Sequence, residues 1–247
     1  MRRDSEGMMQ RYRIGILGGM GPLATVDLYR KIIELTPANC DQDHLHVIID
    51  ADPRIPDRTA ALLGKGPDPT PWLIASAQRL EAAGADFLII PCNTAHAFLS
   101  AVRESISIPI ISMIEETAQQ LSSMVATGSL VGILATTGTI ASRLYQEALS
   151  RHTLEALVPD PERQSLVTCA ITRVKAGKLD GKTTQLVLAA GRWLVDNGAR
   201  ALVLGCTELP LIFPQDALAV PIIDPTRLLA EAAVAIARGQ RPLPSPI

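Results

Sequence analysis

The sequence predicts an α/β protein of two pseudo-symmetric domains, each a parallel sheet flanked by helices, with an active site in the cleft between them. Three observations predict it. Short apolar runs alternate with segments of helical pattern, as in parallel sheets covered on both faces by helices. A set of landmarks occurs twice in the same order. A cysteine closes one apolar run in each copy. Gly84-Ala85-Asp86-Phe87-Leu88-Ile89-Ile90-Pro91-Cys92-Asn93-Thr94 is answered by Gly198-Ala199-Arg200-Ala201-Leu202-Val203-Leu204-Gly205-Cys206-Thr207-Glu208, and each Cys lies eight residues after its Gly.

The repeat extends beyond the cysteines. Gly15-Ile16-Leu17-Gly18-Gly19-Met20-Gly21 resembles Gly132-Ile133-Leu134-Ala135-Thr136-Thr137-Gly138, 117 positions later. Tyr29 and Tyr145 follow on the next expected helices. Ile108-Pro109-Ile110-Ile111-Ser112 matches Val220-Pro221-Ile222-Ile223-Asp224, 112 positions later. Ordered recurrence of this kind marks an internal duplication. The 247 residues then divide into units of roughly 110, each large enough for its own core. The expected division sets residues 1–113 with a returning segment 221–247 against residues 114–220.

Taken in order, Arg13 to Leu17 reads as a buried strand, followed by a glycine turn and a helix from Pro22 to Leu35. Pro22 suits a first helical turn. Val47 to Ile49 is the second strand, and a proline-bearing loop follows from Asp50 to Asp57. Pro71 to Ala83 is helical by pattern and Gly84 ends it. Phe87 to Ile90 is a strand, Thr94 to Ser105 a helix, and Ile108 to Ile111 another strand. Val131 to Leu134, Ala201 to Leu204 and Pro221 to Ile223 supply strands for the second half. Thr153 to Val167 is read as one short strand and a loop. Ligands of such sheets bind beyond the carboxyl ends of the strands. Gly18 to Gly21, Cys92 to Thr94, Thr136 to Thr139 and Cys206 to Glu208 all fall there.

Composition excludes several functions. With 23 basic and 25 acidic residues, the formal charge is −2 and the pI near 6.1, so no field draws nucleic acid or a membrane surface. Aromatic residues are 3%, too few for base-stacking platforms. No apolar run reaches the ~20 residues that span a bilayer. Met1 to Tyr12 is polar, without a signal-peptide core, and reads as a loose extension on a cytoplasmic protein. The four cysteines form no disulfide framework and no Cys-x-x-Cys, and Cys40 and Cys169 read as incidental or packed thiols. His44 and His46 read as surface residues, so no metal site is expected. The first glycine turn lacks the dinucleotide fingerprint. Gly181-Lys182-Thr183 lacks the first glycine of a P-loop, because Ala176 stands there.

The paired cysteines suit a specific chemistry. Racemisation removes a weakly acidic α-proton and returns it on the other face, so one proton carrier is needed on each side. A thiol serves as acid and as base because its reference pKa of about 8.5 lies near neutrality. Each cysteine stands between a strand and an expected helix N-terminus, whose N–H groups favour the thiolate. No lysine stands in a Schiff-base context, so no cofactor is expected.

Five segments carry a family resemblance: Gly18-Gly19-Met20-Gly21-Pro22-Leu23-Ala24-Thr25, Ile55-Pro56-Asp57-Arg58-Thr59, Pro91-Cys92-Asn93-Thr94-Ala95-His96, Leu134-Ala135-Thr136-Thr137-Gly138-Thr139 and Gly205-Cys206-Thr207-Glu208. With them the chain resembles the cofactor-independent aspartate/glutamate racemase superfamily, most closely its aspartate racemase branch, over about residues 13–235. The resemblance implies that Cys92 and Cys206 are the catalytic pair. It implies that Arg58 and Lys175 bind the side-chain acid group, as a guanidinium fork matches a carboxylate. Asn93, Thr94, Thr137 and Thr207 would hold the α-carboxylate. Thr136 and Thr139 would assist or cap the next helix, and Met20 would pack against the substrate or line its turn. Arg54 departs from the branch, which often carries an amide residue there; pointing inward, it would join the substrate-binding set, and outward it would only decorate the loop. Glu208 is the residue the branch expects, where glutamate racemases usually carry His. His96, four residues past Cys92, could tune that thiol, but helix packing or capping is the expected role. The implied partner is a small amino acid, the implied assembly a homodimer. Competing readings are a racemase of glutamate or another amino acid, a hydantoin racemase, a diacid isomerase, and a non-enzymatic amino-acid sensor.

Overall fold

Two four-stranded parallel sheets carry the chain in the computed structural model, which describes residues 12–245. The polar extension through residue 11 lies outside the described residues. The first sheet holds β1 (Ile14–Gly18), β2 (Val47–Ala51), β3 (Phe87–Ile89) and β4 (Ile110–Ile111) in the order β2-β1-β3-β4. The second holds β5 (Leu130–Ala135), β6 (Glu155–Leu157), β7 (Ala201–Gly205) and β8 (Ile222–Ile223) in the order β6-β5-β7-β8. All pairings are parallel. The duplication seen in the sequence is therefore repeated in the hydrogen bonding, with β1 matching β5 and β3 matching β7.

Ten α-helices are described: α1 (Pro22–Leu35), α2 (Arg58–Leu62), α3 (Thr70–Ala82), α4 (Leu99–Glu104), α5 (Met113–Met124), α6 (Thr137–Ala141), α7 (Leu144–Arg151), α8 (Pro161–Lys175), α9 (Gly181–Asp196) and α10 (Pro225–Ala237). Strand side chains alternate between two faces, and the burial follows. Ile14, Ile16, Phe87 and Ile89 of the first sheet share one core with Val131, Ile133, Ala201 and Val203 of the second. Between them lie apolar faces of α1, α5, α7 and α10, contributing Leu28, Met113, Tyr145 and Leu229. On the outer face of the first sheet, Leu88 packs with Leu73 of α3 and Leu99 of α4. On the outer face of the second, Leu202 packs with Val167 of α8 and Val187 of α9.

Three sequence expectations are corrected. The boundary at 221 comes too early, because β8 is hydrogen-bonded to β7 within the second sheet. It is α10 that reaches the first lobe, packing on α1. Lys31 of α1 forms ion pairs with Asp27 and with Asp224, the cap of α10; the latter is 2.7 Å long. Second, the segment read as strand and loop from Thr153 to Val167 contains β6 and then the start of α8. Asp160 caps that helix by accepting from Arg163 N, and Pro161 fills its first turn, a start signal hidden by the polar run after it. Third, the helix expected from Thr94 to Ser105 is broken into a 3-10 turn, Thr94–Phe98, and the short α4.

Strand order reverses direction between β1 and β3 and again between β5 and β7, so each sheet has a switch-point crevice at its carboxyl end. Gly19 makes the first turn possible. Its φ is +90°, and an added Cβ would stand 2.5 Å from the Asp52 backbone, a conformation and an approach open only to glycine. Gly138 allows the lobes to meet, since a Cβ there would lie 2.7 Å from Thr59 Oγ1.

Candidate active site

The two crevices face one another and form one narrow cleft, lined by Met20, Arg58, Cys92, Asn93, Thr94, Thr136, Lys175, Cys206, Thr207 and Glu208 among others. Its volume is about 20 Å³, room for one or two waters. Cys92 follows β3 and Cys206 follows β7; both are free thiols, each 6% exposed. Cys40 and Cys169 are exposed, so neither is a packed thiol.

The turn carrying Cys92 is tied down from three sides. His96 Nδ1 donates to the Cys92 carbonyl at 2.9 Å, and Met113 N donates to His96 Nε2 at 3.3 Å. These bonds need a neutral ring, and burial pushes the His96 pKa down to about 4. His96 thus anchors the turn to α5. The buried Tyr145 hydroxyl donates to Asn93 Oδ1 at 2.6 Å. This fixes the amide, leaving Asn93 Nδ2 buried with no hydrogen-bond partner among the described residues. An unpaired buried donor at a cleft wall is suited to receive an acceptor.

Threonine hydroxyls join the lobes beside the cleft. Thr94 Oγ1 lies 3.0 Å from Thr136 Oγ1 and 2.8 Å from Thr139 Oγ1. Thr136 also caps α6 by accepting from Thr139 N at 3.1 Å. Thr139 is 1% exposed and does not line the cleft, so its hydroxyl serves the bridge. Thr137 is the first residue of α6 and also lies outside the lining.

The second cysteine has a carboxylate neighbour. Cys206 Sγ donates to Glu208 Oε2 at 2.9 Å, and Thr207 Oγ1 lies 3.5 Å from the same oxygen. Burial, then the Glu208 charge, push the Cys206 thiol pKa well up, against the opposing pull of Lys175. The helix N-terminus expected to stabilise each thiolate is not found: the 3-10 turn Thr94–Phe98 follows Cys92, and Cys206 fares no better. Only a three-residue 3-10 turn, Leu209–Leu211, follows, too short for an appreciable dipole. Lys175 stands at the end of α8. Burial alone would lower its pKa, but Glu208 and then the two cysteines raise it, so it is a cation at the cleft. Glu208 was legible as a branch residue, but its contact with Cys206 was not.

Arg58 is 8% exposed at the start of α2. Its Nη1 donates to the Ile55 and Pro56 carbonyls, both at 3.0 Å. Its Nε is buried without a partner among the described residues. Arg54 is placed differently. Its side chain is 85% exposed and pairs with Asp52 through two 2.9 Å bonds. It takes no part in the cleft, which corrects its assignment to the substrate-binding set. Among the described residues no cluster of His, Cys, Asp and Glu is placed to hold a metal, and no helix is long and apolar enough to cross a membrane.

Two like parallel-sheet lobes, each bringing one thiol to a shared cleft, define a duplicated α/β protein of the racemase class. The chain belongs to the Asp/Glu/hydantoin racemase family, whose model matches residues 17–233. Its fold superposes on the aspartate racemase of Picrophilus torridus with a TM-score of 0.80, at 30% identity, covering 92% of this chain and 94% of that one. It is 29% identical over 227 residues to the broad specificity amino-acid racemase RacX of Bacillus subtilis, spanning 90% of this chain and 96% of the relative. A glutamate racemase of Corynebacterium kroppenstedtii matches at 35% over 155 residues, 60% of this chain and 51% of that one.

Proposed function

We propose that the protein interconverts L- and D-aspartate by a two-base proton transfer at Cα, using Cys92 and Cys206 without pyridoxal phosphate or metal. The observation that carries the reading is the pair of thiols at matching ends of β3 and β7, lining one cleft from opposite lobes. A thiolate on one face takes the α-proton, and the thiol on the other face delivers one to the flattened carbanion. Arg58 and Lys175 answer the side-chain carboxylate, while Asn93 Nδ2 and Thr207 answer the α-carboxylate. Fixed donors of this kind stabilise the charge that spreads onto the carboxylate as the proton leaves.

The test is a panel of L- and D-amino acids followed by optical rotation, with Cys92→Ala and Cys206→Ala beside the wild type. Each variant should lose racemisation, while one retains α-proton exchange of one enantiomer in deuterated water. Full racemisation by either variant would sink the two-thiol mechanism. One observation favours a second reading, a racemase of wider substrate range. A cavity of about 220 Å³ adjoins the cleft, walled by Pro22, Leu23, Pro53 and Val174 and sharing Met20, Arg58, Lys175 and Glu208 with it. A larger apolar side chain would fit there, and turnover of such amino acids at rates equal to aspartate would establish that reading.

A further inference from the structure

The duplicated frame makes the two thiols equivalent in position but not in company. Two residues after Cys92 stands Thr94, and two residues after Cys206 stands Glu208. The first half thus offers a neutral hydroxyl where the second offers a carboxylate. Glu208 is 4% exposed, and its Oε2 accepts from Cys206 Sγ at 2.9 Å. We propose that Glu208 is a positioning residue that keeps Cys206 as the proton-carrying thiol of the unliganded enzyme and leaves Cys92 to be its base. The inference rests on the two-thiol reading above.

Repulsion between like charges separates the two thiols. A Cys206 thiolate would sit within 3 Å of a carboxylate in a cleft nearly closed to water, where charge repulsion is poorly screened. The groups facing Cys206 are Glu208 from its own turn, Lys175 from α8 and the buried Tyr145 from α7. Cys92 and Arg58 face Lys175 across the same cleft. Lys175 is shared by both thiols, whereas of the two only Cys206 is bonded to the carboxylate, so Glu208 is the charged group that distinguishes the surroundings of the two thiols. Turnover in one direction leaves the converse form, with the proton on Cys92. That form is the less stable one, and it returns to the resting form by exchanging protons with solvent or by turning over the opposite enantiomer.

Two readouts in wild type, Glu208→Gln and Glu208→Asp test this. One is the alkylation rate of each thiol by iodoacetamide as a function of pH, mapped by peptide mass. The other is the pH profile of kcat/KM. In the wild type, the alkylation midpoint of Cys206 should lie at least about one pH unit above that of Cys92, since only thiolates react. In Glu208→Gln the Cys206 midpoint should fall by about one unit or more, because removing the negative neighbour favours the thiolate. The alkaline limb of kcat/KM, where the proton donor is lost, should move down with it, and the acid limb should stay. Glu208→Asp, which keeps the charge, should keep the wild-type midpoints and lose only rate. A wild-type Cys206 midpoint at or below that of Cys92 would overturn the proposal, and so would a folded Glu208→Gln protein with unmoved midpoints. Alkylation needs no turnover, so absence of racemase activity would count against the proposed function while this measurement still decides the role of Glu208.

Discussion

Under the proposed function, Arg58→Ala should separate recognition of the side-chain carboxylate from recognition of the rest of the substrate. Arg58 is buried and lines the cleft; its Nη1 is committed to the Ile55 and Pro56 carbonyls, and its Nε has no partner among the described residues. A charge-assisted contact there is worth about 1.5–3 kcal/mol. At about 1.4 kcal/mol per factor of ten, its loss lowers kcat/KM for aspartate roughly ten- to a hundred-fold. The two carbonyl bonds add a structural loss of about 1 kcal/mol each, which for a chain of this size is about 4–8 °C in Tm. The assay compares wild type, Arg58→Ala and Arg58→Lys on aspartate, asparagine and alanine, with Tm measured in parallel. Arg58→Lys should not fully rescue, because an ammonium lacks the planar fork. An equal loss on all three amino acids would refute the reasoning. It would mean that Arg58 serves the α-carboxylate or the loop, and the acidic-substrate reading would lose its main support.

Arg54→Gln should change kcat/KM for aspartate by less than about two-fold, because an exposed ion pair contributes little; steady-state kinetics that show a tenfold loss would return Arg54 to the site. Tyr145→Phe leaves Asn93 Oδ1 without its 2.6 Å donor and should cost about 1–3 kcal/mol, read as a lower midpoint in urea unfolding. His96 titrates at about 4 in the fold against about 6.5 unfolded, so between these values the unfolded chain binds the extra proton. Stability should therefore be complete above pH 6.5 and fall as the pH drops toward 4. Urea midpoints across that range should show the slope, and His96→Gln should flatten it.

The fold was legible where the signal was periodic or repeated. The central strands β1, β3 and β7 are buried on both faces and so appear as apolar runs such as Phe87 to Ile90 and Ala201 to Leu204, and the two landmark sets gave the pairing of halves. Cys92 and Cys206 were legible because each closes such a run. What was not legible lay in side-chain direction within loops. Arg54 and Arg58 stand four residues apart in one loop-to-helix segment, yet one faces solvent and the other is buried, and no spacing rule separates them. Tyr145 was visible only as a repeat landmark: its partner Asn93 lies 52 positions away, a contact created by the meeting of the lobes. Glu208 was named for its place in a motif, but its bond to Cys206 depends on the χ angles of adjacent residues.

The helical layer between the sheets is common property of the two halves. Ile16 and Val203 come from different sheets, yet they belong to one continuous core with α10 and α5 between them. A protein made this way has no seam along which it can be divided. Expressed alone, either half would expose to water the apolar side of a helix that its twin normally covers, and would recruit another chain or aggregate. The whole should melt in a single transition in spite of its two sheets.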